Sequence, residues 1–541
     1  MIKQKLEENL KRVIERLGYP TTDIILSISR NSEFGDYSSN IALQLAKLKS
    51  EVSEQTPAEI ANEILEELKS LDFTRDNLSE IKIAGQGFLN FFIKKEFWQE
   101  DLKEILKEGK DFGKNDVGSG KKIQVEFISA NPTGPLTLAN GRGGAVGDTL
   151  ANVLSWSNYL VNRQFYVNNT GNQIRMLGES VLSALGKFPS KEEHYKGEYI
   201  KELAEIFKKD QDLDPLELGE KVAQYLLEHE IKPAIERLGV NFNEFYSEKS
   251  VYERDLIKKT AELLKEKGLV YEKEGALWFK ASEFGDEKDR VLITSEEARG
   301  RIEPTYFLAD VAHHLDDLEK GYVKRINLLG ADHHGYGERI KGVMEALGFE
   351  KRVEIIFFQF VRLFKGGKEV RMSKRAGNFV TLDELLEAVG KDVARFFFLM
   401  YSPDSHIDFN LDLAKEKSEK NPVYYVQYAH ARMANILKKA ENESKLVNNE
   451  LLTEKAETNL IRHLISLPDL VREISDSYQV QHLTTYAITL ADLFHRFYEQ
   501  CPVLGAESEK LKEARLALVF AGKIVLGNVL KLLEIEAPER M

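Results

Sequence analysis

Apolar residues return every three or four positions through Leu6, Leu10, Val13, Ile14 and Leu17, a stripe that predicts an amphipathic opening helix. A strand-like TTDIILSIS follows, then SEFGDYSSNIALQLAKLK, where Asp36 or Ser38 is placed to cap a helix. Another helix is expected near Ala58–Ser70, followed by the alternating strands EIKIAG and FLNFFI. Helices covering one side of those strands would make residues 1–112 a small α+β domain. The stretch EGKDFGKNDVGSGKK, rich in glycine and charge, marks a soft boundary.

Beyond that boundary the pattern changes. KIQVEFIS reads as a buried strand, NPTGPL as a turn, GRGGAVGDTLANVLSWSNY as a helix and LVNRQFYVNN as a second strand. This is a βαβ unit of a doubly wound parallel sheet. A charged helical stretch from about Ser180 to Glu274 reads as an insertion, and strand-like segments return at RINLLG and EIIFFQFVRLF. From Asn421 to Ala537 the spacing is almost wholly helical, with Pro422, Pro468 and Pro502 as helix boundaries. The expected division is 1–112, 113–410 and 411–541, with the insertion at about 180–274.

A chain of 541 residues is too long for a single core, which agrees with that division. Its net charge of −13 argues against non-specific binding to nucleic acid but leaves room for one structured RNA met through local patches. A lone Cys501 rules out an internal disulfide framework and fits a reducing compartment. No apolar run reaches membrane-spanning length, and the charged opening lacks the apolar centre of a secretory signal. A soluble, cytoplasmic protein is expected.

Three segments carry candidate chemistry. The first runs from Asn131 to Gly144, the turn and helix start after the first strand of the sheet, where free amide groups and the helix dipole favour phosphate. Pro132 and Pro135 stiffen the turn; the glycines serve either a close phosphate or tight helix–sheet packing. The Gly-x-Gly-x-x-Gly spacing of dinucleotide folds is not met, which disfavours an oxidoreductase. The second segment, Lys365–Asn378, holds five cations and three glycines, and could grip a polyphosphate. Composition alone favours a solvated surface hairpin. The third joins Tyr306–Asp310 to Gly330–Tyr336; carboxylates and imidazoles at strand ends suit a cation or a polar substrate. His313, His314, His333 and His334 match no zinc spacing, so no metal site is expected.

These residues also carry a resemblance. Val125-Glu126-Phe127-Ile128-Ser129-Ala130-Asn131-Pro132-Thr133-Gly134-Pro135 is similar to the first strand and loop of bacterial arginyl-tRNA synthetases, and Arg371-Met372-Ser373-Lys374-Arg375 resembles the class I KMSKS loop. Further similar segments run in order along the chain: Glu33–Tyr37, Gly275–Trp278, Phe284–Asp286, Gly330–Tyr336, Asn421–Tyr428 and Ala537–Met541. The resemblance implies a multidomain α/β enzyme. It would have a Rossmann-like parallel-sheet catalytic domain with a helical insertion, an N-terminal α+β domain touching tRNA, and a C-terminal all-α anticodon-binding domain. It implies an arginine–tRNA ligase that uses ATP with Mg2+ as substrate, takes L-arginine and tRNA(Arg), needs no tightly bound cofactor, and is monomeric.

By the same resemblance Glu126, Tyr306 and Asp310 would hold the arginine guanidinium, a planar cation that suits fixed carboxylates. Ser129 and Asn131 would orient the amino-acid backbone groups, with His333 lining the pocket. ATP would meet Pro135, Ala139, Gly141, Arg142, Gly330, Asp332, His334, Met372 and Lys374, with Lys374, Ser373 and Arg371 acting on the phosphates. The tRNA would meet Phe34, Tyr424, Gln427, Tyr428, Arg432 and Met541. One departure stands out. Where class I enzymes carry a His-hydrophobic-Gly-His tetrad, this chain has Thr137-Leu138-Ala139-Asn140. Thr137 and Asn140 are read as working catalytic replacements; the alternative is a catalytically weak paralogue that senses tRNA or arginine.

Overall fold

The computed structural model describes residues 2–20, 22, 24, 26–28, 34–49, 55–296, 302–370, 380–440 and 449–541. The chain forms two compact units. One comprises Met1–Phe112, Ile436–Asp469 and Leu493–Val525; the other comprises Gly113–Asn435, Leu470–Asp492 and Leu526–Met541.

In the first unit the opening helix, Ile2–Arg16, buries Ile2, Leu6, Leu10, Val13 and Ile14. Each such side chain contributes roughly 1.5–3 kcal/mol when fully removed from water. Strands β1 (Leu26–Ile28), β2 (Tyr37–Ser39), β3 (Leu78–Ala84) and β4 (Phe88–Ile93) form an antiparallel sheet in the order β1-β2-β4-β3. Neither expected cap serves the helix Ile41–Lys49. Ser39 Oγ accepts from the Ile41 amide, because Asp36 is turned to the Ile93 amide and Ser38 donates to Asn90. Asp36 also faces Arg462 at 2.9 Å, an ion pair between a buried acid and a half-buried base of the same unit.

The second unit is built on a five-stranded parallel sheet: β5 (Lys122–Glu126), β6 (Leu160–Val167), β7 (Glu244–Ser247), β11 (Lys324–Gly330) and β12 (Val353–Phe358). Their spatial order is β12-β11-β5-β6-β7. The order reverses between β5 and β11, so the carboxyl ends of those two strands form the crevice of a doubly wound fold. Helix α1 (Leu138–Trp156) follows β5 and is buried almost throughout. Its glycines let the helix backbone lie directly on aromatic rings. A Cβ at Gly147 would sit 2.3 Å from the Phe127 ring, and one at Gly143 2.9 Å from Phe358. Much of the glycine-rich motif is therefore helix–sheet packing.

Three expectations about secondary structure are corrected. The stretch 180–274 is not helical throughout, since it contains β7, the edge strand of the main sheet, and β8 (Val270–Lys273). β8 pairs with β9 (Ala276–Phe279), which pairs with β10 (Arg290–Ile293) in a separate sheet. EIIFFQFVRLF is two strands: after β12 the chain breaks at Gln359 and Phe360, and β13 (Val361–Lys365) joins β14 (Lys368–Val370) and β15 (Ile407–Asn410). Gly366 and Gly367 both have left-handed backbone (φ 58° and 71°), the requirement of a two-residue hairpin turn. Finally, Tyr306–Asp310 opens a helix, α2 (Tyr306–Glu319), capped by Thr305, so His313 and His314 are helical and buried.

Candidate active site

The crevice at the ends of β5 and β11 holds a pocket of about 650 Å³. Glu126, Ser129, Asn131, Tyr306, Asp310 and His333, all expected at the amino acid, line it together. Immediately after β5, Ile128 and Ser129 both adopt left-handed backbone (φ 64° and 40°), rare for residues with a Cβ and rarer for a β-branched one. That local strain aims Ser129 Oγ at Glu126 Oε1 (2.9 Å), where it also accepts from the Tyr166 amide at 3.1 Å.

Glu126 is already well supplied with donors. Its Oε2 accepts from Asn327 at 3.0 Å and from the fully buried guanidinium of Arg325 on β11. Asp310 lies on α2 with its side chain about 25% exposed. Its Oδ2 accepts from Tyr336 (2.8 Å) and its Oδ1 lies 3.1 Å from His314 Nδ1. Burial opposes its charge, but His314, His313 and Arg325 outweigh that and hold it well below the usual carboxylate range.

Glu248 is the charged pocket residue that sequence reasoning missed. It begins the helix after β7, is almost fully buried, and its Oε1 has no hydrogen-bond partner among the described residues. Burial, and then the charge of Asp310, push its carboxyl up to about 7. An under-satisfied acid beside a second acid suits a cationic ligand. The available signal was weak: one glutamate in FYSEKSVY, within a stretch read as insertion.

At the other end of the pocket lies the N-terminus of α1. Thr137 and Asn140 form a capping box, in which Asn140 Oδ1 accepts from both the amide and the hydroxyl of Thr137 (2.9 and 2.8 Å). Ala139 and Asn140 line the pocket. The Thr137 hydroxyl proton is taken up within the cap, whereas the side-chain Nδ2 of Asn140 makes no hydrogen bond among the described residues. Thr137 also pairs through its backbone with Thr381, and Leu382 donates to Leu136 O at 2.9 Å. The segment after residue 379 is thus tied to the start of α1.

Other expected positions fall elsewhere. Arg142, expected at the nucleotide, is instead wholly buried and donates to the carbonyls of Gln359, Ser402 and Ser405 at 2.7–2.8 Å. Burial lowers its pKa to about 10. Gly141 packs under Leu382, which a Cβ would meet at 2.5 Å. Pro135 is half-buried in the turn, and Gly330 and Asp332 line the pocket. His334 opens helix α3 (His334–Ala346). Arg371, Met372, Ser373 and Lys374 lie outside the described residues.

Of the expected tRNA contacts, Phe34 and Met541 are exposed (54% and 52%). Tyr424 and Tyr428 stack 6.4 Å apart on one helix face, with Arg432 over Tyr428 at 5.9 Å. Gln427 instead ties its helix inward, donating to Asp392 (2.8 Å) and to Glu536 O (3.0 Å).

A doubly wound sheet with an acidic pocket and a capped helix N-terminus at its switch point is the catalytic core of a class I aminoacyl-tRNA synthetase, and residues 101–397 match the family model for the class I (R) catalytic domain. Residues 1–93 match the arginyl-tRNA synthetase N-terminal domain and residues 426–541 the DALR anticodon-binding domain. The chain is 42% identical to an arginine–tRNA ligase of Carboxydothermus hydrogenoformans over 98% of both chains. It is 41% identical to one of Moorella thermoacetica over 96% of this chain and 94% of the other. Its fold matches that of Thermus thermophilus arginyl-tRNA synthetase over 100% of both chains (TM-score 0.80, 22% identity). The chain belongs to the arginyl-tRNA synthetase family. It activates L-arginine with Mg-ATP to arginyl-adenylate and transfers the arginyl group to the 3′-terminal ribose of tRNA(Arg).

Proposed function

We propose that the guanidinium of arginine is held by Asp310 and Glu248, with Tyr306 at its edge and Glu126 reaching it through Oε1. Ser129, Asn131 and His333 orient the amino-acid backbone groups. The observation that supports this most directly is that Asp310 and the under-satisfied Glu248 line the pocket together, near enough for the charge of one to raise the carboxyl of the other. The triphosphate sits over the N-terminus of α1, where amide groups point outward. Asn140 donates to it there, and Thr137 positions Asn140. Pro135, Ala139, Gly330, Asp332 and His334 surround the nucleotide, while Lys374, Ser373 and Arg371 act on its phosphates and Met372 meets ATP. Gly141 and Arg142 act by packing.

Residues 1–112 meet the tRNA through Phe34, 113–410 carry out the chemistry, and 411–541 read the anticodon through Tyr424, Tyr428, Arg432 and Met541. The enzyme works as a cytoplasmic monomer. No helix of the described residues is long and apolar enough to cross a membrane. Asp310→Asn tests the pocket assignment: the arginine KM should rise at least about tenfold, as loss of a charge-assisted hydrogen bond of roughly 1.5–3 kcal/mol implies, with ATP KM little changed. Equal effects on both substrates would place Asp310 in the wrong subsite.

A further inference from the structure

The protein carries a guanidinium of its own directly behind the arginine pocket. Arg325, on β11, is fully buried. Its Nε donates to Asn327 Oδ1 at 3.1 Å, its Nη1 to Asp317 and its Nη2 to Glu126, and the group lies 3.2–3.3 Å from the ring nitrogens of His313. His313 is held in turn by Gln164 at 2.9 Å and packs, with rings tilted, against Tyr166 and Tyr246. Burial alone would lower the pKa of Arg325, but Asp317, Glu126 and Asp310 outweigh it, so the group stays cationic.

Two counts follow from these contacts. Glu126 accepts from Arg325, Asn327 and Ser129, leaving one of a carboxylate's roughly four acceptor sites, on Oε1. A substrate guanidinium therefore cannot bind Glu126 side-on through both oxygens. The second count is of charge. Glu126, Asp317 and Asp316 face Arg325, Lys320 and Arg254, acid for base. Asp310 and Glu248 also line the pocket and enter none of these pairs.

We propose that Arg325 is a positioning residue that sets arginine specificity: it pins Glu126 to a single free oxygen and cancels the buried charge behind it, so that a substrate guanidinium is drawn to Asp310 and Glu248 and nowhere deeper. Without it, Glu126, Asp317 and Asn327 would border a guanidinium-shaped void. Arginine could then enter too far, with its carboxylate withdrawn from the α-phosphate. Productive alignment, on which a synthetase without a side-chain nucleophile depends, would be lost.

This inference rests on the arginine pocket proposed above, and its test separates the two. Arginine and ATP KM values, kcat and Tm are measured for Arg325→Ala, for Arg325→Lys and for the charge-conserving double variant Arg325→Gln/Asp317→Asn, with Asp310→Asn alongside. Arg325→Ala should raise arginine KM at least about tenfold against less than about threefold for ATP. Guanidinium chloride at low millimolar concentration should restore it by filling the void, while methylammonium chloride should not. Arg325→Lys, which keeps the charge but loses the fork, should fall between. Should Arg325→Ala fail to fold, the double variant still reports, with arginine KM raised and ATP KM unchanged. If arginine KM rises in Asp310→Asn but in none of the Arg325 variants, Arg325 is structural and the inference fails while the pocket stands. Failure of Asp310→Asn to change arginine KM would remove the pocket itself.

Discussion

The hydroxyl of Thr137 donates to Oδ1 of Asn140 across 2.8 Å, at the point where class I enzymes of this fold carry two histidines. The bond fixes which end of the Asn140 amide is free: Oδ1 belongs to the helix cap, and Nδ2 is the donor left for a ligand. Asn140→Ala should therefore slow aminoacylation roughly ten- to a thousand-fold with little change in arginine KM, as expected for a contact made in the transition state. Thr137→Ala should cost less, and Thr137→Ser should restore the rate. Placing histidine at both positions should give no gain, because it breaks the cap. Steady-state aminoacylation kinetics decide; a faster double-histidine enzyme would mean the cap is an impairment.

The Glu248 carboxyl predicts a pH dependence. Its ordinary pKa is raised to about 7 by burial and by Asp310. In the free enzyme the stabilising contribution of its neutral form is complete below the unfolded value and is lost as pH rises through about 7. A bound guanidinium favours the ionised form, so arginine KM should fall as pH rises through about 7. Glu248→Gln should flatten that profile while leaving the ATP profile alone. An unchanged slope in Glu248→Gln would remove Glu248 from the arginine subsite.

On the helix Pro422–Lys439 the two expected roles, tRNA contact and packing, should separate by face. Tyr424→Ala and Tyr428→Ala should weaken tRNA binding by roughly 1–3 kcal/mol per stacked base with little change in Tm. Gln427→Ala should do the reverse, lowering Tm by removing the hydrogen bonds that hold this helix to Asp392 and to Glu536 O and leaving tRNA affinity intact. Filter binding beside thermal melts distinguishes them. Loss of Tm without loss of affinity in the tyrosine variants would assign them to packing.

Gly147 tests the packing role of the glycine-rich helix. Alanine there should gain up to about 1 kcal/mol of helix propensity. It would also place a methyl group 2.3 Å from the Phe127 ring, which is itself packed against Phe242 at 4.5 Å. Overpacking typically costs about 1–3 kcal/mol, so the variant should be less stable by denaturant unfolding. Unchanged or raised stability would mean that the ring moves aside freely.

What could be read before the fold was known is what depends on neighbours in the chain. β5, the turn, α1 and β6 are contiguous, and their periodicity and turn residues announce them. Glu126 and Asp310 were reachable because they sit in motifs. Glu248 and Arg325 were not, since each acquires its meaning from a partner far along the sequence: Asp310 for one, Glu126 for the other. Arg325 did leave a trace, as a cation inside a largely buried strand, KRINLLG. The glycines of GRGGAVG carry the opposite lesson. The same residues suit a phosphate or a close-packed ring, and only the position of Phe127 and Phe358 separates the two.

Arg395 has a consequence for how the enzyme is made. Fully buried, it donates to Leu533 O (2.8 Å), Leu238 O (3.1 Å) and Asp148 (2.8 Å), while Asn152 on α1 donates to Leu532 O at 3.1 Å. The catalytic helix therefore finds the acceptor for Asn152 in a residue translated 380 positions later, and Arg395 finds one of its own 138 positions later. A nascent chain that has not yet extruded Leu532 and Leu533 leaves part of a buried guanidinium without its partner, a state that typically costs about 1–3 kcal/mol. On the ribosome this enzyme is finished from its far end, and a stalled or prematurely ended chain carries an active-site helix that is short of its last supports.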